Sequence, residues 1–228
     1  GMVTEAVLKY TDIKCIGLCN VPIHMKMDIV SMLDVDSKDV FIEYVGLNHL
    51  VWGRNVWYKD ENVTKKVIEK LKDGASLTMK NISDLKWPKE FLDALGMVPC
   101  PYHRYYYMTD RLLKEEKEAS ETIGTRAEQV KIEEKLFEIY KNAELNTKPV
   151  ELEKRGGAYY SDAAVSLISA IYNDKKDIHT VNIKNNGTIK GIPDDSVIEV
   201  NCIVDKRGAT PLALKSPVEQ KILGLIQS

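Results

Sequence analysis

The 228-residue sequence predicts an α+β fold, a mixed sheet packed with helices, and three observations carry that reading. Short runs rich in β-branched and aromatic residues recur between amphipathic stretches of helical period. No glycine-rich turn follows a strand near the start, so no dinucleotide-binding unit is visible there. Hydrophobic residues make up 44% and charged residues 29%, enough apolar material for a core that needs neither disulfides nor metal.

Taken in order, residues 2–10 read as a helix end and 13–18 as a short buried strand. Residues 23–33 are helical, and 40–45 form a strand by their β-branched and aromatic content. The next strand, 50–58, is joined to it through Gly46-Leu47-Asn48-His49. Residues 61–72 form an amphipathic helix, whereas 73–87 are polar and mixed and receive no element. The strongest helix spans 127–143, with Val130, Ile132, Leu136, Phe137 and Tyr140 on one broad face. A helix over 159–172 precedes strands at 178–183 and 197–204, which flank turns at Asn185-Asn186-Gly187 and Pro193-Asp194-Asp195. A last helix begins at Val218. There are no repeats, heptads or low-complexity tracts, so residues 1–228 read as a single domain, truncated at both ends because the chain opens and closes abruptly in helices.

Charge and cysteine usage exclude several classes. Thirty-two basic residues against 34 acidic ones leave a net charge of -2, without the cationic field that a nucleic acid needs. No apolar run approaches the roughly 20 residues of a membrane span, and the first residues lack a signal-peptide pattern. Four scattered cysteines, Cys15, Cys19, Cys100 and Cys202, read as free thiols in a reducing cytoplasm.

Three clusters could carry chemistry. Cys19 ends the 13–18 strand, where side chains commonly face a cleft, and His49 lies in the junction that Gly46 permits and Asn48 makes polar. A thiolate and an imidazole form a transition-metal ligand set with positions left open for substrate oxygens. The plain alternative is a small buried cysteine and a hydrogen-bonded turn histidine. The second cluster is Pro101-Tyr102-His103-Arg104-Tyr105-Tyr106-Tyr107, with four of the chain's 11 tyrosines. A tyrosine acts as a base only if cations lower its pKa from about 10, and Arg104 and Arg126 are the candidates. Arg126 also lies just before the 127–143 helix, where an arginine and a helix N-terminus could bind phosphate; aromatic packing with surface arginines is the alternative. The third is Lys154-Arg155-Gly156-Gly157-Ala158-Tyr159-Tyr160-Ser161, which reads equally as a site or a tight helix entry. Cys15 is assigned to the core, and His24, His103 and His179 receive no role.

Several motifs occur in one order. They are Gly17-Leu18-Cys19-Asn20-Val21-Pro22, Gly46-Leu47-Asn48-His49, Pro101-Tyr102-x-Arg104-Tyr105-Tyr106, Thr125-Arg126-Ala127-Glu128 and Lys154-Arg155-Gly156-Gly157. Asn182 with Asn185-Asn186-Gly187, and Val197-Ile198-Glu199-Val200, complete the series. Together they resemble the C-terminal catalytic part of family four glycoside hydrolases of the 6-phospho-β-glucosidase type. The resemblance implies a fold like the C-terminal domain of lactate and malate dehydrogenases. It also implies hydrolysis of 6-phospho-β-glucosides, a family exception among glycosidases, by NAD-dependent oxidation at C3, proton removal at C2 and elimination at C1. Mn2+ or another divalent metal would hold the sugar O2 and O3.

Carried onto this sequence, the resemblance makes Cys19 and His49 the metal ligands and Tyr102 the C2 base. Arg126 grips the 6-phosphate, and Asn48 contacts substrate. Asn20 stands in the catalytic centre where α-specific relatives carry Asp. NAD would belong to an N-terminal Rossmann domain absent from these residues, so the isolated chain is expected to be inactive. The implied partners are a phosphorylated disaccharide or β-glucoside and a second copy, as homodimer or homotetramer, with no nucleic acid or membrane, in the cytoplasm. The rival readings are the substrate domain of a 2-hydroxy acid dehydrogenase and an inactive remnant that only self-associates.

Overall fold

The computed structural model describes residues 1–77, 79, 82–121, 125–154 and 159–228; the side chains of 120, 121, 125–128 and 153 are not described. Helix α1 (Met2–Tyr10) leads through an extended segment to α2 (Val21–Leu33). That segment is not the strand expected over 13–18. Only Gly17 pairs, exchanging two backbone hydrogen bonds with Asn182 at 2.9 and 2.8 Å. Helix α1 crosses closely here: a Cβ on Gly17 would lie 2.3 Å from Thr4 Oγ1 and 2.8 Å from Asn182 Cβ.

Strands β1 (Val40–Leu47) and β2 (Leu50–Tyr58) are joined by the two-residue turn Asn48-His49. Strand β3 (Glu61–Asn62) pairs with β2, and α3 (Thr64–Lys72) starts three residues later than expected. Residues 61–62 pair with β2, and the Asn62 side chain accepts from the Thr64 N–H at 3.0 Å in a two-residue turn that leads into the helix. The segment left without an element, 73–87, buries Leu77, Leu85 and Trp87 without regular structure in its described residues. Helix α4 (Lys89–Leu95) and β4 (Val98–Pro99), which pairs with β2, follow.

Next come α5 (Arg104–Tyr107), α6 (Thr109–Glu121) and α7 (Thr125–Tyr140). The apolar face expected on the 127–143 helix buries Leu136 but leaves Val130, Phe137 and Tyr140 exposed. Periodicity shows which residues share a face, not whether anything covers it. Helix α8 (Tyr160–Tyr172), β5 (Asp177–Lys184), β6 (Val197–Asp205), β7 (Gly208–Pro211) and α9 (Gln220–Gln227) complete the order.

The α+β class stands, with one correction: the sheets are antiparallel rather than mixed, in every strand pairing among the described residues. Two-residue connections, as between β1 and β2 or β6 and β7, leave no length for a parallel crossover. One core cluster packs α2, β1 and α3 around Met25, Ile42 and Val67; the other packs α8 and α9 on β5 and β6 around Val181 and Ile198. Asn201 of β6 bridges the two sheets. It accepts from the Tyr44 N–H at 2.7 Å and donates to the Ile42 carbonyl at 3.1 Å, standing in for a backbone ladder.

Candidate functional site

Cys19 is placed by what flanks it. The Gly17–Asn182 bridge pins the chain two residues before it, and α2, with Pro22 in its first turn, begins two residues after. The side chain is buried, and the Val21 N–H points at Sγ from 3.5 Å. Burial pushes the thiol up to about 11; the neighbouring Glu199 carboxyl adds to the shift, while hydrogen bonds from the Val21 N–H and the Asn48 side chain oppose it.

His49 is placed by the hairpin. Gly46 has φ +146, and a Cβ there would fall 2.1 Å from the Leu50 carbonyl, so only glycine lets the strand close this turn. His49 itself adopts φ +66. Its ring stacks on Tyr102 with centroids 4.0 Å apart and planes 7° from parallel. Burial lowers the imidazole pKa, keeping the neutral form that can donate a lone pair. Tyr102 comes from a 3-10 turn, Pro101–His103, which delivers it from the far side of β2.

Beneath these groups lies Glu199, fully buried on β6. Its Oε1 accepts from Asn182 Nδ2 at 2.7 Å and from Asn48 Nδ2 at 3.3 Å. Burial raises its carboxyl to about 7, against the pull of those two amides. Tyr160, at the start of α8, donates to the Leu18 carbonyl at 3.1 Å. Burial raises its phenol, and the charges of Cys19, Glu199 and Tyr102 raise it further, which puts all four groups in one electrostatic neighbourhood.

The structure therefore gathers Cys19, Asn48, His49 and Tyr102, four of the six residues singled out from sequence. Asn20, the fifth, is buried beside Cys19 at the head of α2, where its carbonyl accepts from the His24 N–H at 3.0 Å. Arg126, the sixth, falls in the first turn of α7, and its side chain lies outside the described residues. Residues 155–158 of the third cluster lie outside them as well.

Two expectations need correction. Arg104 cannot serve as a cation for tyrosine chemistry: it is buried, donating to Leu85 O at 2.9 Å, Leu77 O at 3.2 Å and Asp84 Oδ1 at 2.9 Å. Cys15 is half-buried rather than in the core. Glu199 and Asn182 entered the sequence reading only as parts of motifs, and Tyr160 only within a glycine-led cluster. The legible signal for Glu199 was an acidic residue inside the mostly apolar run 197–204.

No three His, Cys, Asp or Glu side chains converge into a closed cage among the described residues. A metal would rest on the Cys19 sulfur and the His49 imidazole, and this soft, two-member donor set fits a catalytic cation completed by substrate and water rather than a structural zinc. A cavity of about 550 Å³ lies between α2, β1 and α8, lined by Lys26, Tyr44 and His179 among others, and it includes none of the three chemical groups Cys19, His49 and Tyr102. The chemistry sits beside the cavity, not in it.

Comparison with known proteins gives the following. The family model described as "Family 4 glycosyl hydrolase C-terminal domain" matches residues 44–228. A probable 6-phospho-beta-glucosidase of Bacillus subtilis is 53% identical over 230 residues, covering 100% of this chain and 52% of the relative. The structure of the 6-phospho-beta glucosidase from Thermotoga maritima with manganese, NAD+ and glucose-6-phosphate superposes with TM-score 0.83 at 39% identity, over 100% of this chain and 52% of that one. The malate dehydrogenase of Plasmodium falciparum shares the fold at TM-score 0.52 and 12% identity, over 99% of this chain and 55% of that one. The chain spans about half the length of the curated relatives it matches.

Proposed function

The chain belongs to the family 4 glycosyl hydrolases, as their C-terminal domain, and from that premise we propose that it is the metal- and base-bearing part of a 6-phospho-β-glucosidase. The observation that carries the reading is the His49–Tyr102 stack at 4.0 Å beside the buried Cys19. The dehydrogenase alternative has a shared fold in its favour and nothing at the level of these residues.

The proposed substrate is a 6-phospho-β-glucoside or a phosphorylated disaccharide, and the proposed cofactors are NAD, held outside this chain, and Mn2+ or another divalent cation at Cys19 and His49. When bound, NAD supplies a hydride acceptor for the sugar C3 and the metal a Lewis acid for its hydroxyls. Tyr102, whose phenolate a cation at His49 would favour, takes the proton from C2, and the electron pair left behind expels the aglycone oxygen at C1. Water then adds at C1, and with the hydride given back to C3 the NAD would be unchanged overall. Stacking on His49 fixes the Tyr102 ring plane, so the phenol approaches the sugar from one direction only. Asn20 and Asn48 hydrogen-bond sugar oxygens; an amide does not protonate a leaving group, so Asn20 orients rather than acts as acid. Arg126 at the head of α7 receives the 6-phosphate, where the helix N-terminus adds its own partial charge. Self-association as a homodimer or homotetramer, in the cytoplasm, belongs to the same reading; it is supported by exposed Phe137 on α7 and Ile168 and Tyr172 on α8.

The test is hydrolysis of a chromogenic 6-phospho-β-glucoside by the protein at its full natural length. Activity should require NAD+ and Mn2+ together and fall at least a thousandfold in Cys19→Ala. Undiminished turnover by that variant, or turnover without NAD+, would remove the reading.

A further inference from the structure

Glu199 is a buried group that the proposed reaction does not use. It sits in the middle of β6 without exposure to water, and no lysine or arginine among the described residues pairs with it. Burying a carboxyl in such a place costs stability that a valine would not. Its contacts are specific. Oε1 takes both amides, Asn182 Nδ2 and Asn48 Nδ2, while Oε2 and Asn182 Oδ1 have no partner among the described residues. Each amide is tied to one arm of the site. The Asn182 backbone holds Gly17, two residues before Cys19, through two hydrogen bonds. Asn48 is one half of the two-residue turn whose other half is His49. The turn is held from outside: the His49 ring lies on Tyr102, the Gly1 ammonium donates to Asn48 Oδ1 at 3.2 Å, and Glu199 Oε1 accepts from Asn48 Nδ2 from below. Of these, the Glu199 contact ties the turn to the same strand pair that holds the Cys19 segment.

We propose that Glu199 is a positioning residue: together with Asn182 it clamps the Asn48-His49 turn and thereby holds the His49 ring against Tyr102, on the side facing Cys19. The clamp rests on the hydrogen bonds above, and only its consequence for metal binding rests on the function proposed here. It acts through an acceptor oxygen at the Oε1 position. Glutamine at 199 keeps that oxygen, whereas alanine removes it.

The experiment reads the histidine ring resonances of the 228-residue chain, which has four histidines, with His49 assigned from His49→Ala. A ring stacked on tyrosine carries a ring-current displacement, so movement off the stack is visible without metal or substrate. Glu199→Ala should move the His49 resonance alone and leave His103, packed on Trp52 at 4.5 Å, where it is. Mn2+ alone, titrated into each variant, should bind at least tenfold more weakly to Glu199→Ala, and Glu199→Gln should restore both readouts. Asn48→Ala removes the other end of the clamp without opening a hole in β6, and serves where Glu199→Ala fails to fold. An unmoved His49 resonance in whichever of these variants folds overturns the proposal. So does movement of all four histidines together, because Glu199 would then hold the fold and not the turn. If His49 moves but even the wild-type chain takes up no Mn2+, the clamp is sustained and the metal reading fails instead.

Discussion

Burial sets the protonation of Glu199, and the sign of its effect on stability follows. The carboxyl is raised from 4.5 to about 7 in the folded chain. Between those values the unfolded chain has already lost the proton that the folded chain keeps, so the contribution of Glu199 to stability is full below pH 4.5 and is lost as pH rises through about 7. Glutamine cannot ionise, so Glu199→Gln should flatten this decline and unfold at higher urea than wild type at pH 8, by roughly 3 kcal/mol. A wild-type advantage at pH 8 would mean that the Asn182 and Asn48 amides and the Gly1 ammonium outweigh the cost of burying the charge. Residue type made Cys19 and His49 candidates beside a plain structural alternative, and only the family resemblance made them expected metal ligands. Locally Glu199 stood out only as an acidic residue in a mostly apolar strand; what it touches was not legible, since its partner Asn48 is 151 positions away.

At the scale of elements, the β1–β2 hairpin was legible because its alternation, its β-branched content and its Gly46 agree. Gly46→Ala should therefore be severe. The new Cβ would meet the Leu50 carbonyl at 2.1 Å and the Val51 Cα at 2.8 Å, both backbone atoms that cannot step aside, at φ +146. Strain and overpacking together place the loss at roughly 2–4 kcal/mol, measurable as a lowered urea midpoint with unchanged slope. A change below about 0.5 kcal/mol would mean that the turn relaxes freely. The elements that sequence misread failed for one reason. The 13–18 run and the 127–143 face both have the right local pattern, but a strand needs a neighbouring ladder and an apolar face needs a cover. Helix α1 displaces the first, and no described residue covers Phe137.

At the scale of the whole molecule, Arg104 shows how an irregular segment is held. Its guanidinium ties the carbonyls of Leu77 and Leu85 and the Asp84 carboxylate to the start of α5, and stacks on Trp87 at 5.0 Å. In Arg104→Met the half-exposed Asp84 stays hydrated, so the stranded carbonyls decide the cost, about 2–3 kcal/mol. A chain of this size should then melt roughly 2–4 °C lower per kcal/mol lost; an unchanged Tm would show that water replaces the guanidinium. The sequence by itself determined the α+β class, the β1–β2 hairpin, most of the helices and the chemical types at the site, because these depend on spacing of a few residues and on side-chain chemistry. Only the tertiary structure decided that Arg104 is a buried strut rather than a catalytic cation, that Tyr102 stacks on His49, and that Glu199 lies under the Asn48-His49 turn. Burial, and the desolvation that follows from it, is set by neighbours far away in the chain, and no local pattern encodes them.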